Sequence, residues 1–243
     1  MTERIWDKFL TARDKAVFAA AGFAQPQGFG KKPALVIIDV NYNFCGDKPE
    51  PILESIKRWP TSCGEDAWTA IPYIQALLKG ARAKGLPVIY TTGGFRSDGW
   101  DFGSWLWKHN RLKESKSPKR NLDGDAIVAE IAPRPEEIVL PKLKPSAFHG
   151  TPMRAHLNLL GADSVIMCGT TTSGCVRASV IDAFSENYRV TLAEEACFDR
   201  SQSSHAINLL DMQAKYADVR PTKEIVEHLG TLPDGLFELP SGR

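Results

Sequence analysis

The most constraining feature of the sequence is an uninterrupted apolar run at residues 34–38, Ala-Leu-Val-Ile-Ile, which ends at Asp39. Because no polar residue alternates with these side chains, the run predicts a strand buried on both faces, as in a parallel sheet. Further strands are predicted along the chain, at 86–91, 137–140, 164–168, 189–192 and from Val219. Helical patterns separate them, so the fold class predicted is α/β, a doubly wound, mostly parallel six-stranded sheet with helices on both faces.

The chain length suits one large domain with a short extension at its start. We place an α/β domain at 31–243 and an N-terminal helical arm with its connector at 1–30. Apolar side chains recur at helical spacing within residues 5–18, and glycine and proline mark the connector. Such an arm either contacts another subunit or covers the core of its own domain.

The charge balance bears on the partners to be expected. There are 30 Lys and Arg residues and 29 Asp and Glu residues, so the net charge of +1 gives no electrostatic reason to expect nucleic acid or an anionic membrane. The basic run at 113–120 is interrupted by Glu, Ser and Pro, which is typical of a solvated loop. No apolar run is long enough to span a membrane, and the start lacks the apolar core of a signal peptide.

The cysteines indicate a reducing environment. They are odd in number and none has metal-type spacing such as C-x-x-C: Cys45, Cys63, Cys168, Cys175 and Cys197. This usage predicts neither a zinc site nor a disulfide framework. We therefore expect a cytoplasmic protein.

The turn at residues 169–178, Gly-Thr-Thr-Thr-Ser-Gly-Cys-Val-Arg-Ala, joins a predicted strand to a predicted helix. It places Cys175 at a helix N-terminus and at the carboxyl end of a strand, where ligands bind in open α/β sheets. The helix dipole should help the Cys175 thiol to ionise, and the unpaired backbone N–H groups there can hold an oxyanion. The alternative is that Cys175 is a small buried core residue, as free cysteines usually are.

Two more polar residues lie at predicted strand ends, Asp39 and Lys142. Strand ends of a parallel sheet share one edge, so these residues can meet Cys175. A carboxylate beside a thiol can accept its proton, and an ammonium beside both favours the charged forms. Taken singly, each residue has a structural explanation as a helix cap, a surface lysine or a core cysteine. Lys144 is the alternative to Lys142, since both could point the same way in an extended segment.

Three motifs together resemble those of the isochorismatase-like cysteine hydrolases, over residues 33–217. They are a strand-ending Asp39 followed by Phe44, then Lys142-x-x-x-Ser-Ala-Phe, and Gly-x-x-Thr-x-x-Cys175-Val. The resemblance implies a catalytic triad of Asp39, Lys142 and Cys175, attack of the cysteine on an amide-type carbonyl, and hydrolysis of the resulting thioester. It also implies a cis peptide bond between Thr170 and Thr171, with the N–H groups of Thr171 and Cys175 as oxyanion hole. It implies no cofactor.

Within this family, residues 172–179 look similar to the nucleophile segment of amidases that act on N-carbamoyl amino acids. That resemblance implies a small carboxylated amide or ureido acid as substrate, with Arg200 gripping its carboxylate. The alternative for Arg200 is a structural pairing with Asp199 or Glu195. The segment at 93–120 carries an aromatic cluster that lines a pocket, fills a subunit interface, or does both. We assign substrate binding to Arg200, Thr170, Phe44 and Trp105.

Departures from the family pattern limit the prediction. Asn41 stands where the family usually has Gln, and the region after the second strand lacks the histidines through which nicotinamidases bind a metal. The five histidines do not cluster, so we expect no metal. Other candidate functions are a maleamate-type amidase, a vinyl-ether hydrolase of the isochorismatase type, and a non-catalytic binding protein. The resemblance also implies a homo-oligomer, a tetramer or a dimer, whose subunits could share pocket residues.

Overall fold

The computed structural model describes residues 4–108 and 121–239. Its sheet has six parallel strands in the order β3-β2-β1-β4-β5-β6. The strands are β1 Pro33–Ile38, β2 Val88–Gly93, β3 Ile138–Lys142, β4 Ser164–Thr170, β5 Arg189–Phe198 and β6 Asp218–Arg220. The predicted doubly wound α/β architecture is therefore confirmed, and the sheet is parallel throughout.

Helices connect these strands and cover the sheet. They are α1 Ala12–Ala21, α2 Tyr42–Cys45, α3 Ile52–Ser55, α4 Glu65–Ala83, α5 Trp105–Lys108, α6 Met153–Leu160, α7 Arg177–Ser185, α8 Gln202–Lys215 and α9 Thr222–Thr231. Helices α4 and α9 pack against each other and against β5, while α7 and α8 form a second packed pair that also contacts the sheet. Right-handed crossovers in a doubly wound sheet place such pairs on opposite faces.

The core is centred on β1, as the apolar run predicted. Residues Ala34 to Ile38 are fully buried, and β1 lies between β2 and β4. The chain reverses its direction of winding at β1 and β4, which is where open α/β sheets bind ligands. Gly169 near the end of β4 has φ +108°, and a Cβ there would collide with the Ile38 carbonyl oxygen. A glycine is required because the ends of β1 and β4 approach so closely.

Strand β5 is longer than the sequence pattern predicted, since it continues past residue 192 to Phe198. The charges that suggested an earlier end are accommodated within the fold. Glu194 forms an ion pair of 2.7 Å with Arg4, and Glu195 accepts hydrogen bonds of 2.7 and 2.8 Å from the backbone N–H and hydroxyl of Thr222. Paired charges can therefore be carried by a largely buried strand.

The N-terminal arm is helical but not continuous. A short 3-10 turn at Asp7–Phe9 is separated from α1 by Thr11, which forms a capping box with Asp14. In the described part of the chain α1 buries no side chain, whereas Trp6 ahead of it belongs to the hydrophobic core. Part of the arm thus covers the core of its own domain, and its role as an oligomer contact stays a prediction.

Several other expectations concern the chain as a whole. All five cysteines are free and buried. Across 4–108 and 121–239, none of the helices combines the length and apolar character needed to cross a bilayer. The basic run at 113–120 lies outside the described residues.

Candidate active site

The carboxyl ends of β1, β3 and β4 bring together the three residues predicted from the sequence. In the strand register Ile38 pairs with Gly169, and Gly93 at the end of β2 pairs with Lys142. The Asp39 Oδ2 and Lys142 Nζ atoms lie 2.7 Å apart, and both side chains are at most 5% exposed. Cys175 is also buried and lines the same cavity as Asp39 and Lys142, and both groups affect the pKa of its thiol. Residues separated by more than 130 positions thus form one cluster.

Asp39 is held in an unusual backbone conformation directly after β1. Its φ of +53° lies in the left-handed region, which Asp and Asn tolerate better than most residues. The Thr91 hydroxyl donates a hydrogen bond of 2.7 Å to Asp39 Oδ1, and the Asp39 N–H donates to the Thr91 carbonyl at 3.1 Å. The carboxylate is therefore fixed by Thr91 on one oxygen and by Lys142 on the other.

Lys142, the last residue of β3, links the cluster to the following segment. Its ammonium also donates a hydrogen bond of 3.1 Å to the carbonyl of Lys144. Burial lowers the pKa of Lys142, but the neighbouring Asp39 carboxylate and Cys175 outweigh that effect, so its pKa is raised above the ordinary value. Lys142 consequently stays protonated and supplies a fixed positive charge beside the thiol.

Cys175 lies in a single wide helical turn, Thr172–Val176, that leads directly into α7. The Val176 N–H donates to the Thr171 carbonyl at 3.2 Å, the i→i+5 spacing of a π-turn, which is common at functional sites. One turn on, the Ser179 hydroxyl donates to the Cys175 carbonyl at 2.7 Å. The preceding Thr170–Thr171 peptide bond is cis, as the family resemblance implied.

The electrostatics of Cys175 differ from the expectation of easy ionisation. Burial raises the pKa of the Cys175 thiol to about 12, the Asp39 carboxylate adds to this increase, and Lys142 opposes it. The position at a helix N-terminus is thus outweighed by desolvation and by a like-charged neighbour. The raised pKa favours the protonated thiol in the resting site, with the Asp39 carboxylate as the neighbouring group that can accept the proton.

A cavity of about 300 Å³ opens onto this cluster. Its walls combine the three clustered residues with aromatic, charged and glycine residues: Asp39, Asn43, Phe44, Gly93, Phe95, Arg96, Ser97, Phe102, Trp105, Asp123, Gly124, Asp125, Lys142, Leu143, Lys144 and Cys175. Phe44 and Trp105, assigned to substrate binding from the sequence, are both in the wall. The volume suits a small molecule rather than a polymer.

The aromatic segment after β2 divides into a pocket wall and an exposed part. Trp105 donates its indole N–H to the Leu143 carbonyl at 2.9 Å, and Phe95 and Phe102 form an edge-to-face pair with centroids 4.9 Å apart. Trp100 and Trp107 are 82% and 86% exposed. Phe95, Phe102 and Trp105 thus line the cavity, whereas a subunit interface at the two exposed tryptophans stays a prediction.

Two predicted substrate-binding residues lie outside this cavity wall. The Thr170 side chain is fully buried and donates to the Phe198 carbonyl at 3.2 Å. The Arg200 side chain is exposed, donates from Nε to the Thr61 carbonyl at 2.8 Å and lies 5.5 Å from the Phe44 ring centroid. Arg200 thus contacts the ring of Phe44, which lines the cavity, but Arg200 does not itself line it.

Several residues that support the site were not singled out from the sequence. Thr91 is one, although its position beside the end of β1 was a usable signal. The Asn43 side-chain amide donates to Asp125 Oδ1 at 2.9 Å, which joins two parts of the cavity wall. Asp199 accepts a 2.7 Å hydrogen bond from the Ser173 N–H, in the turn that carries Cys175. Such long-range partners leave no local pattern in a sequence.

His205 also touches the turn that carries Cys175. Its Nδ1 lies 2.7 Å from the Thr172 hydroxyl, and burial lowers the pKa of His205, with Asp199 acting in the opposite direction. His205 is therefore neutral near pH 7 and packs behind the nucleophile turn. Over the described ranges, three or more His, Cys, Asp or Glu side chains do not gather in any metal-binding arrangement.

Comparison with known proteins agrees with the fold. The Isochorismatase domain family model matches residues 33–224. N-carbamoylsarcosine amidase from Arthrobacter sp is 34% identical over 227 residues, covering 90% of this chain and 79% of the relative. Maleamate amidohydrolase from Pseudomonas putida is 30% identical over 211 residues, covering 85% and 91%. The solved structure of an isochorismatase family protein from Desulfovibrio vulgaris has a TM-score of 0.70 at 29% identity, covering 83% of this chain and 100% of that one.

The parallel sheet with a buried polar cluster at its carboxyl edge defines a doubly wound α/β enzyme. The family model covers most of the chain, and the chain belongs to the isochorismatase family. Its enzyme class is that of the matched relatives, hydrolases of C–N bonds other than peptide bonds.

Proposed function

We propose that this protein is a cysteine-dependent amidohydrolase that cleaves the C–N bond of a small carboxylated amide or N-carbamoyl compound and releases ammonia. The observation that carries the proposal is the buried cluster of Asp39, Lys142 and Cys175 at the floor of a small cavity. These are a carboxylate to take a proton, an ammonium to fix the charge and a sulfur nucleophile, which acyl transfer needs together.

In the first half-reaction the thiol proton of Cys175 passes to the Asp39 carboxylate as the sulfur attacks the amide carbonyl carbon. A C–S bond forms, and the carbonyl π electrons move onto oxygen. The backbone N–H groups of Thr171 and Cys175 are the proposed donors to this oxyanion. Lys142 keeps its proton throughout, because its charge stabilises both the carboxylate and the developing thiolate.

The intermediate then collapses and is hydrolysed. As the C–N bond breaks, the leaving nitrogen takes the proton held by Asp39 and departs as ammonia, which leaves a thioester on Cys175. Asp39 next accepts a proton from water, whose oxygen attacks the thioester carbon. The C–S bond breaks, the carboxylic or carbamic acid leaves, and the proton returns from Asp39 to sulfur.

The substrate class follows from the cavity and from the relatives. A volume of about 300 Å³ with aromatic walls and charged groups suits a small acid amide. The names of two matched relatives, N-carbamoylsarcosine amidase and maleamate amidohydrolase, indicate the two chemical forms to test first, a ureido acid and an unsaturated acid amide. Vinyl-ether hydrolysis would need a proton donor but no thiol, so the central position of Cys175 argues against it.

An ammonia-release screen tests this proposal. The panel contains N-carbamoyl amino acids, maleamate, neutral amides and isochorismate, each with the wild type and with Cys175→Ala. We expect ammonia from at least one carboxylated amide or ureido acid with the wild type and none above background with the variant. Pyruvate formation from isochorismate without amide hydrolysis, or undiminished ammonia release by Cys175→Ala, would contradict the proposal.

The assembly and location of the protein remain predictions. We propose a homo-oligomer, tetramer or dimer, in the cytoplasm, on the family resemblance and on the cysteine usage. A subunit contact can be tested at two exposed surfaces, the Trp107 side chain and the α1 helix. Sedimentation of the wild type and of Trp107→Ser compares their oligomeric states.

A further inference from the structure

The cavity wall contains three cationic side chains whose situations differ. Lys142 is bonded to Asp39, as described above. Arg96 forms an ion pair of 2.5 Å with Asp98, and its side chain is 63% exposed. Lys144 lines the same cavity and is half-buried, yet its ammonium has neither an ion pair nor a hydrogen bond with any part of the chain that the structure describes. A cavity-facing cation without a partner is suited to a ligand anion.

We propose that Lys144 is the specificity-determining residue that binds the substrate carboxylate. This inference rests on the proposed function, and it assigns to Lys144 the role that the sequence had suggested for Arg200. Arg200 donates from Nε to the Thr61 carbonyl, packs against the Phe44 ring and does not line the cavity. Lys144, in contrast, already lines the cavity together with Asp39, Lys142 and Cys175.

The backbone around Lys144 is fixed by the site itself. The Lys142 ammonium donates to the Lys144 carbonyl at 3.1 Å, and the Trp105 indole donates to the Leu143 carbonyl at 2.9 Å. These two bonds tie residues 142–144 to the catalytic cluster on one side and to the aromatic wall on the other. Lys144 is therefore positioned relative to the cysteine by the same lysine that positions Asp39.

The side chain of Lys144 reaches the segment that carries the cavity-lining residues Phe102 and Trp105. A Cβ added to Gly103, in the segment between β2 and α5, would lie 3.2 Å from the Lys144 Nζ. The ammonium is thus held against the backbone of this segment. A substrate whose carboxylate binds to this ammonium would have its amide group free to extend toward Cys175.

The remaining charges of the wall complement a ureido acid or acid amide. Asp125 accepts from the Asn43 amide at 2.9 Å, and Asp123 accepts from the Asp125 N–H at 3.0 Å. A carboxylate oxygen can accept more than one hydrogen bond, so the N–H groups of an amide suit the Asp123 side of the wall. The cavity therefore offers a cation for one end of the substrate and acceptors for the other.

The test compares charged and neutral forms of one substrate. Ammonia release is measured from maleamate and N-carbamoylglycine and from their methyl esters, with wild type, Lys144→Met, Lys144→Arg and the matched control Arg200→Met. For Lys144→Met we expect kcat/KM on the acids to fall about 10- to 100-fold, mostly through KM, with the esters changed less than about 2-fold. Lys144→Arg should restore most of the preference for the acid, and Arg200→Met should not change it.

Equal losses on acid and ester in Lys144→Met, or a selective loss in Arg200→Met, would overturn the assignment. Failure of the proposed function looks different, since the wild type would then release ammonia from no amide. If the wild type hydrolyses no amide, the affinity for maleate, measured by calorimetry, still tests the role of Lys144 in binding a carboxylate. The proposal predicts at least about 10-fold weaker binding by Lys144→Met than by wild type. Equal affinities, or no binding by the wild type, would refute it.

Discussion

Two cavities lie near the turn that carries Cys175, and they differ in size and in chemistry. Cys175 lines the smaller one, whereas Asp199 and His205, which contact the turn, line the larger one. The smaller, of about 300 Å³, contains the acid, amine and thiol cluster. The larger, of about 1110 Å³, lies between the N-terminal arm, α4, α8 and α9, and its walls include Arg4, Glu194 and His205. In the larger cavity Glu194 forms a 2.7 Å ion pair with Arg4.

The difference shows that volume does not identify the reactive site. Each cavity has a buried cysteine in its wall, Cys175 in the smaller and Cys197 in the larger. Burial, with smaller contributions from Cys168, Glu194 and Glu195, raises the pKa of Cys197 well above the ordinary value, and a backbone hydrogen bond with Gly169 opposes this only in part. Cys175 has a proton acceptor and a cation in direct reach. The two cysteines are both buried, so the charged groups beside the thiol, and not exposure or cavity volume, are what sets the proposed nucleophile apart from Cys197.

The largest expected effect separates these two cysteines. Cys175→Ala should lower kcat for ammonia release by at least about 10³-fold, because no other group can form the thioester. Cys197→Ala, the matched control from the larger cavity, should stay within about 3-fold while losing some stability through the space it leaves. Steady-state ammonia assays and urea denaturation of both variants make the comparison. Similar activities of the two variants would contradict the distinction between Cys175 and Cys197.

The next effect tests the buried pair. Asp39→Asn should reduce kcat by about 10²- to 10⁴-fold, because the proton acceptor is lost while Asn tolerates the positive φ. Lys142→Met should cost about 3–5 kcal/mol in the free energy of unfolding, because it leaves the Asp39 carboxylate buried and unpaired.

The double variant Asp39→Asn/Lys142→Met is the control for that pair. It should regain most of the stability lost in Lys142→Met and none of the activity, as seen by urea denaturation and ammonia release. A double variant as unstable as Lys142→Met would mean that the lysine stabilises the fold by other contacts.

Much of this site could be predicted from the sequence because strand ends converge. A buried run such as 34–38 identifies its strand, and a polar residue directly after it must lie at the sheet edge. Asp39 and Cys175 could be predicted in this way, and Lys142 could be predicted with the help of the family motif. Local patterns carried this information because each residue depends on its own strand and turn.

The remaining features depend on contacts between distant segments. Lys144 lines the cavity and Arg200 does not, and this depends on how separate segments of the chain pack together. The pKa of Cys175 depends on how burial balances Asp39 against Lys142, and the sequence suggested the opposite direction. The extension of β5 past Glu194 required Arg4 as a partner from the N-terminal arm.

A smaller effect concerns His205, which lines the larger cavity and contacts the nucleophile turn. Burial lowers the pKa of His205 below its ordinary 6.5, so the unfolded chain takes up its proton more readily than the folded one. The free energy of unfolding should therefore fall as the pH drops below about 6.5, by at most about 1.4 kcal/mol per pH unit from this group.

His205→Gln should reduce that slope, as measured by urea midpoints between pH 7.5 and 5.5. His228 has a pKa lowered in the same direction, by burial and by Arg220, so a residual slope is expected. The double variant His205→Gln/His228→Gln should flatten the slope further. An unchanged slope in His205→Gln would show that protonation of this side chain does not oppose folding.

The smallest expected effect is in the larger cavity. Burial raises the pKa of Glu194, which outweighs its pairing with Arg4. Because Glu194 lines the larger cavity and not the one that contains Cys175, Glu194→Gln should change kcat/KM less than about 2-fold. The free energy of unfolding should change by about 1 kcal/mol or less, since Arg4 is partly exposed. A loss of activity above about 10-fold would mean that the larger cavity takes part in the reaction.

The central claim is a thioester on Cys175, and partitioning of that intermediate tests it most directly. An acid amide and its N-methylamide share one acyl group, so a common thioester must divide between water and added hydroxylamine in the same proportion from either substrate. The account predicts equal ratios of hydroxamate to acid from both substrates, and neither product with Cys175→Ala. Ratios that differ between the two amides, or acid formed by Cys175→Ala at the native rate, would contradict it.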